Sequence, residues 1–236
     1  VSFYYLPELG AAPSRITNLA EGLRDRDQEV EVLTCMPNYP KGRIFENYRK
    51  KFSMCEKLNG IKVHRYWTYA TTSRNVFLRL FSMFSFAVAV WFFALKVRMI
   101  KKYDRIIIQS PPILVAYSAM ILFKCLYRRT TILNVSDLWP ASAVELGAVK
   151  EGSIFYKVLL YIEKFLYRKA NAVMGQSSVI LQHVLSLEAS KTTFLYRNLQ
   201  HGVEVPAKVI SKCRKFRIVY AGLMGVAQDI LGLIKT

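Results

Sequence analysis

Short apolar runs rich in β-branched residues alternate along this chain with stretches long enough to form helices. Parallel strands need a long crossover connection, usually a helix, so such alternation is typical of a parallel sheet. The pattern predicts an α/β fold in which a doubly wound parallel sheet carries helices on both faces. The predicted strands cover residues 30–34, 61–67, 105–109, 131–135, 172–174, 193–196 and 217–220.

The chain begins with apolar residues that predict one more strand. Residues 1–5 form the end of this strand, which is expected to be truncated. A loop over 6–12 and a helix over 14–26 are predicted to follow. Residues 37–51 hold two prolines and several charges, so we expect an exposed loop there, leading into a β excursion near 52–58.

A polar, irregular stretch near the end of the chain indicates a domain boundary. Residues 199–214 contain Gly202 and Pro206 and predict a linker. The first domain is therefore expected to span 1–198. Residues 215–236 then supply only the first strand and helix of a second domain.

The net positive charge of the chain indicates which classes of partner it could bind. The formal net charge is +18, from 34 Lys and Arg against 16 Asp and Glu, which favours nucleic acid, phospholipid or phosphorylated metabolites. No zinc-finger, RNP-like or helix-turn-helix pattern supports nucleic acid. Three groups of cations instead follow apolar stretches: Lys96, Arg98, Lys101 and Lys102; Lys124, Arg128 and Arg129; Lys164, Arg168 and Lys169. This arrangement favours an anionic lipid surface, with helix ends stabilised by the helix dipole as the alternative.

Val76–Leu95 is the most apolar stretch, and as a helix it would measure roughly 30 Å, close to the hydrocarbon thickness of a bilayer. Arg79, Ser82 and Ser85 also suit a helix that lies in the membrane interface. In-plane attachment, a spanning helix and a buried core helix all remain open. For attachment, the expected contacts are Phe81, Phe84, Trp91 and Phe92 with lipid and Lys96, Arg98, Lys101 and Lys102 with headgroups.

Cysteine and histidine spacing indicates no metal site. The four cysteines show no C-x-x-C pattern, and the three histidines have no partner at ligand spacing. No secretory signal peptide opens the chain, which starts at Val1 without a methionine. We therefore expect a cytoplasmic protein with a trimmed start.

Candidate ligand contacts follow the predicted strands, because ligands of doubly wound sheets bind at the carboxyl ends of the strands. Gly10 and Ala11, with Glu8 before them, allow a ligand to approach the backbone, although a plain tight turn is equally compatible. Ser110 precedes two prolines and could contact a ligand or cap a helix. The sequence holds neither G-x-G-x-x-G nor a P-loop pattern, which disfavours dehydrogenases and P-loop NTPases.

Two further loops carry polar candidates. Asp137 and Trp139 follow the strand at 131–135, where a carboxylate could bind a sugar hydroxyl or assist proton transfer and an aromatic face could pack on a sugar ring. Asp137 as a helix cap is the alternative. Near the end of the chain, Gly222, Gly225 and Gln228 predict a phosphate-binding turn between strand and helix.

These strings together resemble glycosyltransferase family 4, and most of all its branch that transfers N-acetylated amino sugars in O-antigen and capsule assembly. The resemblance follows the whole chain in order. The motifs that carry it are Pro7-Glu8-Leu9-Gly10-Ala11-Ala12-Pro13-Ser14-Arg15, Pro37-Asn38-Tyr39-Pro40-Lys41-Gly42, Ser110-Pro111-Pro112, Asp137-Leu138-Trp139-Pro140, Glu163-Lys164-Phe165-Leu166-Tyr167-Arg168-Lys169-Ala170 and Tyr220-Ala221-Gly222 with Gly225, Ala227 and Gln228.

The resemblance implies the GT-B architecture, with two Rossmann-like domains facing each other across a cleft. It further implies a retaining transfer without a metal or other cofactor, from a nucleotide sugar that we expect to be UDP-linked, to a polyprenyl-diphosphate-linked acceptor. Such an enzyme would work at the cytoplasmic face of the bacterial inner membrane. In this interpretation the loop at Gly10 lies near the diphosphate and acceptor, and Asp137 lies beside the reacting sugar.

The sequence departs from the family pattern at two points, and both limit the activity expected of this chain. The family's second domain normally supplies an E-x-x-x-x-x-x-x-E pair that grips the donor, and residues 215–236 hold no such pair. Leu223 and Gln228 stand where many relatives have a cationic clamp for the diphosphate. The 236 residues alone are therefore expected to be inactive. A non-catalytic membrane-anchoring or scaffold fragment is the alternative hypothesis.

Overall fold

The computed structural model describes residues 1–73, 75–96, 103–145 and 147–197, together with positions 219, 220 and 232. The strands are β1 (Glu31–Cys35), β2 (Ser53–Leu58), β3 (Ile61–Tyr66), β4 (Arg105–Ser110), β5 (Thr130–Val135), β6 (Ala172–Gly175) and β7 (Thr193–Leu195). The helices are α1 (Ala11–Arg24), α2 (Val76–Lys96), α3 (Ile113–Met120), α4 (Ala141–Glu145), α5 (Ile154–Lys169) and α6 (Ser178–Leu187). A π-helical stretch, Ile121–Leu126, extends α3, and Glu46–Tyr48 forms a 3₁₀ turn.

The strands form two hydrogen-bonded sheets, in the orders β1-β3-β2 and β4-β5-β6-β7. All pairs are parallel except β2 with β3. Each parallel pair within the second sheet is joined by a helical connection, as the sequence pattern predicts. The Rossmann-like α/β prediction is confirmed.

Residues 1–5 join the two sheets. The Val1 nitrogen donates to the Ile107 carbonyl at 2.7 Å, and the Gln109 nitrogen donates to the Val1 carbonyl at 3.0 Å, which is the pattern of a parallel ladder. On the other side, the Ser2 nitrogen donates to the Leu33 carbonyl at 3.0 Å. The segment therefore occupies the place of the predicted first strand, between β1 and β4.

The β excursion predicted near 52–58 is an antiparallel edge strand. Its last residue pairs with Ile61, so only Asn59 and Gly60 connect β2 to β3. Both have positive φ, 48° and 80°, as a type I′ hairpin turn requires. The Asn-Gly dipeptide was the sequence signal for this hairpin. Helix α1, predicted over 14–26, instead begins at Ala11, because a proline at position 13 fits the first turn of a helix.

Helices cover both faces of the sheet. The neighbours Val32 and Leu33 point to opposite faces: Val32 packs with Tyr5, Ala20 and Val63 beside α1, while Leu33 belongs to the main core. The main core also contains buried side chains of α2, α3, α5 and α6. Helices on both faces are the defining feature of a doubly wound sheet, so this prediction is also confirmed.

Helix α2 is apolar on both its sides, and only one side is buried. Phe86, Val90 and Phe93 are at most 4% exposed and belong to the main core. The four aromatic side chains predicted to meet lipid lie on the other side and are between 39 and 57% exposed: Phe81, Phe84, Trp91 and Phe92. Phe77, Val88 and Leu95 extend this exposed surface. We call these seven residues the α2 stripe.

The packing of α2 bears on the three alternatives for Val76–Leu95. The helix has the length and composition to cross a membrane, but its buried side packs against α3. At the border between the two sides, Trp91 Nε1 donates to Ser118 Oγ at 2.8 Å. Spanning a bilayer would remove Phe86 and its neighbours from the core. This packing disfavours a spanning helix in this fold, the exposed side excludes a fully buried one, and attachment to a membrane stays a prediction.

Several predictions concern residues that the structure does not describe. These are the side chain of Lys96, all of Arg98, Lys101 and Lys102, the first two residues of the predicted strand at 217–220, the linker at 199–214, and Gly222, Gly225 and Gln228. The boundary of the first domain therefore stays a prediction.

The two faces of α2 should respond differently to the same substitution. Phe86→Ala removes a fully buried ring and should lower the free energy of unfolding by about 3 to 5 kcal/mol. Phe84→Ala, two residues away on the exposed side, should change it by less than about 0.5 kcal/mol. Urea unfolding of both variants measures the difference. Equal losses would contradict the assignment of a buried and an exposed face.

Candidate active site at the carboxyl edge of the sheet

The loops that follow the carboxyl ends of the parallel strands lie at one edge of the sheet. The loop after residues 1–5 holds Glu8, Gly10 and Ala11, and the loop after β5 holds Asp137 and Trp139. Because parallel strands end at the same edge, the fold brings these sequence-distant loops together. This edge is the candidate active site.

Glu8 lies below the surface and not in the open cleft. It is 2% exposed; its Oε1 accepts from the Asn38 and Tyr39 nitrogens, both at 2.8 Å, and its Oε2 accepts from the Tyr5 nitrogen at 3.3 Å. Burial raises the pKa of this carboxyl, and the three N–H donors and Arg65 oppose the rise. Because almost none of its side chain is exposed, Glu8 positions these loops and does not line the cleft, which corrects its assignment to the cleft surface.

Gly10 is the last residue before α1 and has a φ of +141°, which residues with a side chain rarely adopt. A Cβ here would lie 3.3 Å from Cε1 of Tyr39. No side chain caps the first turn of α1, and Ala11 is exposed there. The N-terminus of α1 is thus accessible at the candidate site, and the helix dipole favours an anion there.

Asp137 is exposed and makes local hydrogen bonds. Its Oδ1 accepts from the Leu138 nitrogen at 3.0 Å and from Ser142 Oγ at 2.6 Å. These contacts resemble those of a helix cap before α4, while the exposed carboxylate remains reachable by a ligand. Trp139 is half-buried against the main core, so only part of its ring could meet a sugar.

Arg15 of α1 contacts the loop that follows β6, and it was not among the predicted site residues. Its Nη1 donates to Oε1 of Gln176, the residue after β6, at 3.1 Å. Burial lowers the pKa of Arg15, and the attraction of the Asp137 carboxylate opposes that shift. Arg15, Asp137 and Gln176 therefore converge from α1, β5 and β6. The sequence signal for Gln176 was its place directly after a strand.

Ser110 is 6% exposed and does not cap α3, whose capping residue is Pro112. This corrects the predicted capping role and leaves little of Ser110 for a ligand. Its carbonyl accepts from the Ser136 nitrogen at 2.9 Å. Beneath it, Gln109 Nε2 donates to Ser136 Oγ at 2.8 Å, and Gln109 Oε1 accepts from Asn134 Nδ2 at 2.6 Å. These amides hold the ends of β4 and β5 together at the site.

The described residues contain no group of three or more His, Cys, Asp or Glu side chains that could hold a metal ion.

Comparison with known proteins agrees with this geometry. Residues 10–196 match the model of the glycosyl transferase 4-like domain. The chain is also 30% identical over 148 residues to a protein of Escherichia coli (strain K12) named putative colanic acid biosynthesis glycosyl transferase WcaI. That alignment covers 63% of this chain and 36% of the relative, so the chain spans about a third of the relative's length.

Glu8 should make stability depend on pH. Because its pKa in the folded protein is raised above the ordinary value of 4.5, its contribution to stability is fully present below 4.5 and is lost as the pH rises through the raised value. Glu8→Gln cannot titrate, so the free energy of unfolding should fall less steeply over this range than in the wild type. Urea unfolding across the range measures both slopes, and identical slopes would contradict the assignment.

Proposed function

Because the chain belongs to the glycosyl transferase 4-like family, we propose that the complete protein is a retaining, metal-independent glycosyltransferase of cell-surface polysaccharide synthesis. It would move a sugar, in our proposal an N-acetylated amino sugar, from a UDP-linked donor to a polyprenyl-diphosphate-linked acceptor. The observation that carries the proposal is the convergence of Arg15, Asp137 and the open N-terminus of α1 at one sheet edge.

The chemistry of the proposed transfer explains why these groups would be needed. The bond between the anomeric carbon and the diphosphate oxygen breaks while the acceptor oxygen bonds to that carbon, so negative charge develops on the leaving diphosphate. A guanidinium group and a helix N-terminus stabilise such charge where it develops. The Arg15 guanidinium is held by Gln176, which fixes its direction before the substrate arrives.

Asp137 would meet the acceptor side of the reaction. Its carboxylate is exposed and near Arg15, so it can accept a hydrogen bond from a sugar hydroxyl and assist removal of the hydroxyl proton. Ser142 and the Leu138 nitrogen orient this carboxylate. The donor-binding groups of the second domain would complete the site in the full-length protein.

The acceptor proposal requires attachment to a membrane, and the α2 stripe supports it. Large apolar side chains that remain 39 to 81% exposed along one helix are rare on soluble surfaces and suit burial at a lipid interface. We place the protein at the cytoplasmic face of the bacterial inner membrane, bound peripherally.

Arg15→Ala should lower sugar transfer by the complete protein about 10²- to 10³-fold, the usual effect of removing one charge-stabilising group from an active site. Arg26→Ala is the matched control, since Arg26 lies just beyond the other end of α1 and donates to the Gly22 carbonyl. Turnover of a UDP sugar in the presence of inner-membrane lipid extract is the measurement. Wild-type turnover by Arg15→Ala would sink the catalytic proposal, and a wild-type protein without turnover would favour the scaffold hypothesis.

Attachment to the membrane through the α2 stripe can be tested separately. Replacing Phe81 and Phe84 together by Asn should lower partitioning to vesicles of neutral phosphatidylcholine about 100-fold, because each buried phenylalanine contributes about 1.5 to 3 kcal/mol. The matched control replaces two exposed apolar residues of another helix, Ile154 and Val158 of α5, by Asn and should bind the vesicles like the wild type. Co-sedimentation with vesicles measures the effect. A wild type that stays in the supernatant would rule out the proposed attachment.

A further inference from the structure

A shallow trough runs beside the α2 stripe, between the loop after β1 and the end of β3. It consists of two adjoining hollows of about 420 and 350 Å³, which share Ile44, Arg49 and Trp67. Arg43 lines one hollow, and Lys51 and Phe52 line the other. Because β1 and β3 are parallel, the trough opens at the same sheet edge as the candidate active site.

The trough is strongly cationic. Residues 41–52 hold five Lys and Arg and a single acid, Glu46, which forms an exposed ion pair with Arg49 at 3.7 Å. Arg43, Lys50 and Lys51 are exposed. Such a concentration of cations on one loop attracts an anionic surface or ligand.

The loop that carries these cations is held in shape by its own contacts. Gly42 has a φ of +60°, and a Cβ there would lie 2.4 Å from the Thr72 nitrogen, so the loop packs directly on the chain that leads into α2. The Gly42 nitrogen donates to the Asn38 carbonyl at 2.8 Å, and Arg49 Nε donates to the Ile44 carbonyl at 3.0 Å. The trough therefore exists before any ligand binds.

Aromatic residues connect the trough with the α2 stripe. Phe52 is 50% exposed, and its ring lies 5.3 Å from that of Phe92. Trp67 is 39% exposed, and its backbone nitrogen donates to the Phe52 carbonyl at 2.7 Å. Exposed Trp and Phe beside cations are typical of the level of a membrane where headgroups meet acyl chains.

We propose that the trough binds the phosphate headgroups of anionic phospholipids while the α2 stripe enters the apolar layer beneath them. This inference rests on the membrane attachment proposed above and deepens it. The cations of residues 41–52 complement the phosphates, and the contact between Phe52 and Phe92 makes the two surfaces continuous. The mouth of the candidate site then faces the bilayer, where a lipid-linked acceptor is presented.

The test compares two charge-matched double variants of the complete protein. Arg43→Gln with Lys51→Gln removes two trough cations and spares Arg49, which helps to shape the loop. Lys57→Gln with Arg105→Gln removes two exposed cations at the opposite edge of the sheet. Co-sedimentation is measured with neutral phosphatidylcholine vesicles and with vesicles that contain phosphatidylglycerol.

The trough variant should lose roughly 30-fold in binding to phosphatidylglycerol vesicles, about 5-fold for each cation near the surface, and should bind neutral vesicles like the wild type. The control variant should keep the wild-type preference for anionic vesicles. If the trough variant keeps that preference as well, the proposal is overturned. If the wild type does not bind neutral vesicles, the attachment through α2 is refuted instead. Failure of the trough proposal and failure of the attachment proposal therefore give different results.

A competition experiment distinguishes binding of lipid headgroups from binding of a soluble diphosphate. Pyrophosphate, compared with sodium chloride of equal ionic strength, should not displace the wild type from phosphatidylglycerol vesicles beyond the effect of salt. Specific displacement of the wild type that is absent in the trough variant would identify the trough as a site for a soluble diphosphate, and this result would also overturn the proposal.

Discussion

The parallel hydrogen bonds of residues 1–5 hold this domain together, because they join two sheets that would otherwise share no ladder. Val1 bonds to both sides of the Ile108 position in β4, and Ser2 bonds to Leu33 in β1. The order β2-β3-β1, then residues 1–5, then β4-β5-β6-β7 follows. Since parallel strands end at one edge, this ladder also decides that the loop holding Gly10 lies between the trough on one side and Asp137 on the other.

Two buried charges support both loops of that edge. Arg65 on β3 is fully buried, and its guanidinium bonds to the Leu6 and Cys35 carbonyls and to Glu56. Glu8, also buried, ties the loop after residues 1–5 to the loop after β1. Burying an unpaired charge is costly, so each of these groups needs its partners in place. The candidate site and the trough therefore share one support, and a change at Glu8 would reach both.

The two sides of helix α2 are both apolar but lie in different surroundings. The buried side must pack Phe86 and Val90 into the core, and the exposed side keeps large rings in contact with water in the isolated domain. In the attachment proposed above, a second apolar phase would cover these rings. The trough would add charge selectivity to this attachment and set its orientation, because cations and apolar rings occupy different depths of a membrane interface.

The sequence by itself determined the elements and their order. The spacing of apolar residues and the composition located every strand of the described region within one or two residues. Buried parallel strands are short apolar runs, and the segments that connect them are helical. Motif strings identified the family. The Asn59-Gly60 turn was also visible in the sequence, although its consequence, an antiparallel edge strand, was not drawn from it.

Only the tertiary structure decided which polar residues face the cleft and which support it. Glu8 and Asp137 are both acids that follow a strand, yet one is buried under three N–H donors and the other is exposed beside Arg15. The sequence also could not predict the surroundings of Val76–Leu95, because its composition is compatible with a spanning, an in-plane and a buried helix. Burial depends on contacts between residues far apart in the chain, and neither residue type nor local period encodes those contacts.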